Sequence, residues 1–380
     1  MLRAGVGVST LDEARAAARE ACAGALQGLG GPRAEAALVF ATPEHGELAR
    51  ELLEAAAAGL GTRALAGASV HGLLAPGLES ESGPAVGIVA LTGVQARAFL
   101  LDDLHGDETR AGPELAARLG RPASARDLVL LFPDPDGLAP EALLAGLRGS
   151  LRPATLVGLG AAAGPLGAPL QWAEASVATG AVAALAIHGA RPARVGVTQA
   201  CRPVTAPLIV TRCRGHWVAE LDGRPALDVY REVAREPLAC DLRRAARFVL
   251  VAIPRPGAPG AYVVRSVSGF DPRSGAFAVP DRLAPGDAIA LALREPEGAR
   301  MDLKRMLAEL AEPRPALGLY LGCCGRAAAL FGVPGLEGGY LGSALEPAPV
   351  LGVLGALQIG PVAGRAEVLT QAGVLAALDP

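Results

Sequence analysis

Lysine is almost missing from this chain of 380 residues: Lys304 is the only one among 35 basic side chains. Aromatic residues are also scarce, at 3%, too few to line a base-stacking surface. An excess of one charge is lacking as well. The 35 basic and 38 acidic residues leave a net charge of −3, which supplies no positive field to hold a phosphate backbone, so nucleic acid is excluded as an expected partner. The six cysteines, Cys22, Cys201, Cys213, Cys240 and the adjacent Cys323 and Cys324, form no C-x-x-C and have no histidine at zinc-like spacing. No metal site is expected, and most of the thiols should be small buried hydrophobes in a reducing compartment. The longest apolar run, around 177–187, falls short of the roughly 20 residues that cross a bilayer, so no membrane span is expected. The opening MLRAGVGVST has no continuous apolar segment and no cleavage-like site, and a cytoplasmic location is the expectation. No phosphate loop or dinucleotide fingerprint occurs, and no cofactor is expected.

Small residues are plentiful instead. The 49 Gly and 31 Pro make up 80 of 380 residues, or 21%, below the roughly 25–30% that signals low complexity. With 51% hydrophobic residues the chain can fill more than one core, and its length suggests two or three domains. Alanine occupies both helix faces and strand cores, a bias read here as genomic, and it blurs periodicity.

The first half alternates strand and helix. Val6–Val8 is a strand, and Thr10 with Glu13 predicts a capping box before a helix whose inward face is Ala14, Ala18, Ala21, Ala25 and Leu29. Leu38–Ala41 is the next strand, followed by Thr42-Pro43-Glu44 as a helix start and by Gly59 and Gly61 as its stop. Ala64–Ala66 runs into a small-residue turn, Gly67 to Gly72, and Val86–Leu91 begins another strand. The order returns at spacings of 90–96: Leu128–Leu130 matches Leu38–Phe40, Thr155–Gly158 matches Ala64–Gly67, and Val182–Ile187 matches Val86–Leu91. This predicts an internal duplication of a strand–helix–strand unit, about 36–100 and 126–198. The texture changes near Asp222-Gly223-Arg224-Pro225. Beyond it, strands are predicted at 248–253, 261–267, 276–279 and 288–293, with a helix capped by Asp302 and a strand Ala316–Leu321 leading to Gly322-Cys323-Cys324-Gly325-Arg326. Another small-residue turn spans Gly355 to Pro361. The expected fold class is α/β with mixed α+β sheets, in two regions, 1–224 and 225–380. Without a family comparison the residues name no reaction.

The order of these pieces resembles a FIST-domain protein of the stand-alone bacterial type, FIST N followed by FIST C, over nearly the whole chain. The resemblance rests on Gly5-Val6-Gly7-Val8-Ser9, on Leu38–Phe40 followed by His45, on Gly67-Ala68-Ser69 with Gly72, on Pro133-Asp134-Pro135, and on Cys201-Arg202-Pro203. It rests further on the run Glu220 to Ala226, on Cys323-x-x-Arg326 after a strand, and on Gly352 with Gln358-Ile359-Gly360-Pro361. Two departures stand out: the family turn usually carries Glu where this chain has Gln358, and the Gly often found after the Arg of C-x-x-R is Ala327 here. The resemblance therefore implies no charged role at Gln358. It does imply a sensory, signal-transducing module that binds a small ligand, an amino acid being the usual suggestion, and passes its state to a separate signalling protein.

Arg326 is the leading site residue, because strand carboxyl ends collect ligands in open α/β sheets and a guanidinium there can fork onto a carboxylate. It can equally pair with Glu337 or a backbone carbonyl as a structural residue. Cys323 or Cys324 can serve as a thiolate nucleophile at a helix start, or simply as strand-end packing. His71 beside Ser69 is a pocket donor or a plain surface residue. Asp134 and Asp136 are cation ligands or turn formers. The expectation is a pocket between the two regions, with Gly67, Ser69 and His71 on one wall and Cys323, Arg326 and Gln358 on the other, holding an amino acid or small carboxylate. The alternatives are a cysteine-dependent enzyme using Cys323 or Cys324 for acyl transfer or thiol chemistry, and a protein-interaction adaptor.

Overall fold

The computed structural model describes residues 1–164 and 167–380. Three six-stranded sheets share one plan. In the first, Arg3–Ser9 pairs antiparallel with Val86–Thr92, which pairs antiparallel with Ala36–Ala41, which pairs parallel with Leu65–Ser69. In the second, Gln95–Leu101, Val182–His188, Asp127–Pro133 and Thr155–Leu159 follow in the same order and senses. In the third, Arg194–Gln199, Ala372–Leu378, Leu317–Cys323 and Val350–Gly355 do so again.

Each of these sheets ends on an apolar strand whose open edge needs cover, and each takes that cover from another. The hairpin Gln171–Ala178 adds antiparallel to Leu65–Ser69. The hairpin Gln358–Leu369 adds to Thr155–Leu159, and the hairpin Gly72–Ser80 adds to Val350–Gly355. The three exchanges close into a ring, so each sheet is completed by a segment from a neighbouring one. Leu38–Phe40 and Leu128–Leu130 do occupy the same place in the first two sheets. Yet the strand plan occurs three times, and a shared plan of topology does not establish a duplicated sequence.

Alternation along the strands divides the core into layers. Leu38, Phe40, Leu130, Phe132, Leu319 and Leu321 face a common centre, where the rings of Phe40 and Phe132 meet edge to face at 5.3 Å. Ala37 and Val39 face outward onto the helices Ala14–Leu29 and Ala49–Leu60. Val129 and Leu131 meet Ala111–Leu119 and Pro140–Ser150, and Tyr320 meets Pro296–Leu310 and Leu336–Leu345. The alanines have a packing role that composition alone does not show. A Cβ on Gly7 would lie 1.9 Å from the carbonyl oxygen of Ala21, so glycine in the strand and alanine on the helix let the two backbones approach.

Several local expectations shift for physical reasons. Glu13 itself caps the first helix, its carboxylate accepting from the amides of Arg15 and Ala16 at 2.9 and 2.6 Å, and Thr10 takes no part. Thr42 does not cap by its side chain. Its hydroxyl instead ties Gly83 and Ala85 to the strand end. Asp302 lies within the helix Pro296–Leu310, accepting from the amide of Gln199 at 2.7 Å. Between Arg194–Gln199 and that helix, the chain makes a separate nine-stranded sheet that joins Leu208–Arg214 and Trp217–Leu221 with Val249–Pro254 and Ala288–Arg294. There the Tyr230 ring meets Phe270 and Phe277 at 5.2 and 5.7 Å, in a cluster continuous with the central core.

Candidate functional site

The carboxyl ends of the third strand pair of each sheet meet at one backbone junction. The amide of His71 donates to Leu354 at 2.7 Å, that of Ala162 to Ser69 at 2.8 Å, and that of Gly160 to Leu357 at 2.8 Å. The carbonyl of Gly355 accepts from the amide of Cys324 at 3.0 Å and from the side-chain amide of Gln358 at 3.4 Å. Ser69, His71, Cys323, Cys324 and Gln358 are thus gathered at the same end of the third sheet. What fills the space between them is backbone: a Cβ on Gly355 would lie 2.4 Å from the carbonyl oxygen of Gly160.

The residues differ in what they have free. The Ser69 hydroxyl donates to the carbonyl of Ala162 at 2.6 Å and accepts from the amide of Leu170 at 2.9 Å, so it ties both residues to the first sheet. Gly67 lies outside the junction, within a strand rather than a turn. A Cβ there would meet the carbonyl oxygen of Val39 at 1.8 Å and the indole nitrogen of Trp172 at 2.9 Å, and that indole donates to the same Val39 oxygen. His71 is exposed, yet flanked closely enough that burial lowers its pKa. Gln358 is completely buried, and its Oε1 has no partner among the described residues. Asp134 is a turn former, accepting from the amides of Asp136, Gly137 and Gly180 at 2.8–2.9 Å.

Arg326 lies two residues beyond this junction and is wholly enclosed. Its Nε donates to Glu337 Oε1 at 2.7 Å, and the Tyr320 hydroxyl donates to the same oxygen at 2.5 Å. This is the Glu337 pairing open to a structural arginine. It leaves Nη1 and Nη2 of Arg326 and Oε2 of Glu337 buried without partners among the described residues. Burial works against the guanidinium charge, but Glu337, Tyr320 and Cys323 together outweigh it and raise the Arg326 pKa. The Phe331 ring lies 5.8 Å from the guanidinium carbon. Ala327 begins the covering helix Ala327–Phe331 at φ 52°, a left-handed conformation that costs an alanine about 1–2 kcal/mol and suits the glycine more usual in the resemblance.

Cys323 is buried and Cys324 exposed. A hydrogen bond from Cys324 lowers the Cys323 pKa to about 6 against the opposing effect of burial, helped by the amides of Gly325 and Gln371 and by Arg326. The same bond raises the Cys324 thiol. Cys323 pairs with Gly355, and the neighbouring Leu354 pairs with Gly72. His71 therefore lies two strands from Cys323, and among the described residues no hydrogen bond joins its ring to either thiol.

Sequence reasoning passed over Tyr320, Glu79 and Gln371. Tyr320 lies in a strand buried at every position, so no alternation marked it. Both carboxylate oxygens of Glu79 are buried without a hydrogen bond of good geometry among the described residues, and burial, then the neighbouring Glu81 carboxyl, raise its pKa to about 7. The only available signal was a pair of acids in a hairpin that the strand pattern had not paired with the C-terminal region.

Among the described residues no helix is long and apolar enough to cross a membrane. The family model of the FIST N domain matches residues 35–224, and that of the FIST C domain matches 226–361. An uncharacterized protein of Mycobacterium tuberculosis is 32% identical over 376 residues, 96% of each chain. An uncharacterized protein of Mycobacterium bovis is also 32% identical, covering 96% of this chain and 95% of that one. Among solved structures, a cyanuric acid hydrolase from A. caulinodans aligns at a TM-score of 0.27 with 12% identity, covering 50% of this chain and 70% of that one. Matched by both domain models and by full-length relatives, the chain belongs to the FIST family, whose domains are associated with sensory signal transduction.

Proposed function

We propose that this protein is a sensory module that binds a small carboxylate, an amino acid being the leading class, with Arg326 as the residue that holds the anion. The observation that carries the reading is the buried guanidinium with Nε fixed by Glu337 and both Nη groups unpartnered. A buried donor left unpaired costs about 1–3 kcal/mol, more when charged, and a carboxylate can accept from both Nη groups as a fork. Cys323 and Gln358 stand at the adjoining junction, and Ser69 and His71 hold the facing strand end. The covering segment from Ala327 offers a way to signal, because the amide of Ala328 donates to Glu81 at 3.0 Å, just beyond the N-terminal hairpin. A ligand that moves this cover moves that hairpin, and a separate signalling protein would read the change.

The test is thermal stability against a panel of amino acids and small carboxylates, since a ligand at 100 times its dissociation constant adds about 2.7 kcal/mol. A selective rise is expected, lost in the double variant Arg326→Gln/Glu337→Gln, which removes both charges together. No rise from any member, in protein shown ligand-free by native mass spectrometry, would overturn the reading. So would a rise that persists in the double variant.

A further inference from the structure

Away from Arg326, a cleft of about 870 Å³ lies between the end of the helix Pro140–Ser150 and the hairpin Gln358–Leu369. Its volume falls within the roughly 300–1,000 Å³ of small-molecule sites. Arg148, Arg152 and Arg365 line it, and no carboxylate does. In a chain of net charge −3 this is a local reversal of sign.

Arg148 is held there. Arg148 is mostly buried, with 17% of its side chain exposed, and its Nη1 donates to the carbonyl of Ala366 at 2.7 Å. The nearest acid, Glu367, lies behind the wall and is shared. Arg255 Nη2 approaches it at 3.1 Å, Arg365 Nε at 3.6 Å and Arg148 Nη1 at 3.8 Å. Glu141 also acts on Arg148 but is bonded to Arg265 at 2.8 Å, so Glu367 is the carboxylate that Arg148, Arg255 and Arg365 share, and Arg152 adds another guanidinium. Burial first, and then the charge of Arg365, lower the Arg148 pKa, while Glu367 and Glu141 oppose the shift. The helix ends here with its partial negative pole, which Arg148 in the last turn offsets.

The walls say more about the ligand. Gly149, Pro153, Ala154 and Gly364 leave backbone accessible, and Thr155 contributes a hydroxyl. No aromatic ring lines the cleft, so a nucleobase has nothing to stack on. A single guanidinium satisfies a carboxylate. Three lining one cleft offer enough donors for a dianion with three acceptor oxygens.

We propose that this cleft binds a phosphorylated, non-aromatic small molecule of the sugar-phosphate or diphosphate class. Ligand there bridges a helix of the second sheet and a hairpin supplied from the C-terminal region, so it clamps one of the three exchanges that close the ring. This site is independent of Arg326.

The experiment is titration of the full chain with pyrophosphate and with ribose 5-phosphate at about 0.15 M salt, followed by calorimetry and thermal stability. Both exposed rim arginines can be removed with little risk to folding, Arg365 being 65% exposed. Saturable binding of at least one probe is expected. Its affinity should fall about tenfold or more in Arg152→Ala and in Arg365→Ala, and should be unchanged in Arg326→Gln/Glu337→Gln. No binding of either probe overturns the proposal. So does an equal response to sulfate, which marks general anion screening, or affinity unchanged in both rim variants.

Discussion

Replacing Glu337 by glutamine removes one charge from a pair in which neither side chain is exposed. The amide oxygen can still accept from Arg326 Nε and from the Tyr320 hydroxyl, which reach the carboxylate at 2.7 and 2.5 Å. Volume and hydrogen bonds therefore survive, and the change isolates the charge. Leaving a buried guanidinium uncompensated costs about 3–5 kcal/mol. At about 2.1 cal/mol/K per residue, the unfolding entropy of a 380-residue chain is near 0.8 kcal/mol/K, so the loss shows as a fall in Tm of roughly 4–6 °C. The double variant Arg326→Gln/Glu337→Gln removes the stranded charge as well and should recover most of that fall, since replacing both members of a buried pair is often near neutral. Scanning calorimetry of the three proteins at neutral pH measures this directly. If Glu337→Gln melts within about 1 °C of the parent, or if the double variant melts below the single one, the pair is not what compensates Arg326.

Glu79 gives a pH signature of the opposite kind. Burial and Glu81 raise its pKa to about 7, so between the ordinary carboxylate range and pH 7 the native state keeps a proton that the unfolded chain has released. Stability should fall as pH rises through that window and level off above it. Glu79→Gln should flatten the fall and melt higher than the parent at pH 8, by about 1–2 kcal/mol; an unchanged slope between pH 5 and 8 would remove the argument. Cys323, its pKa lowered to about 6 but its side chain buried, should react with iodoacetamide slowly and at a rate that levels off near pH 7, while the exposed Cys324 reacts only at higher pH. Mass spectrometry of each site against pH decides, and two profiles that both rise near the ordinary thiol pKa would remove the cysteine-enzyme alternative.

The sequence exposes contiguous features and hides those built by ring closure. Gly61 is legible as a helix stop because the left-handed cap it makes, at φ 67°, needs only its own conformation. Arg326 at a strand end and Glu337 eleven residues on are legible as a pair because a short helical segment separates them. Gly67 to Gly72 invites a turn, but its first half is strand because Gln171–Ala173, about a hundred residues away, pairs along it. Such short strands carry too few residues to show alternation, and nothing local selects their partners. The cleft is the extreme case: Arg148 and Arg365 lie more than two hundred positions apart and share Glu367 only because the hairpin Gln358–Leu369 crosses to the second sheet. A motif search finds residues that act near one another in the chain, such as Cys323 and Arg326. A site assembled by exchange between sheets becomes visible only when the third sheet is seen to repeat the plan of the first two, which places each hairpin on its neighbour's edge and Arg365 against a foreign helix.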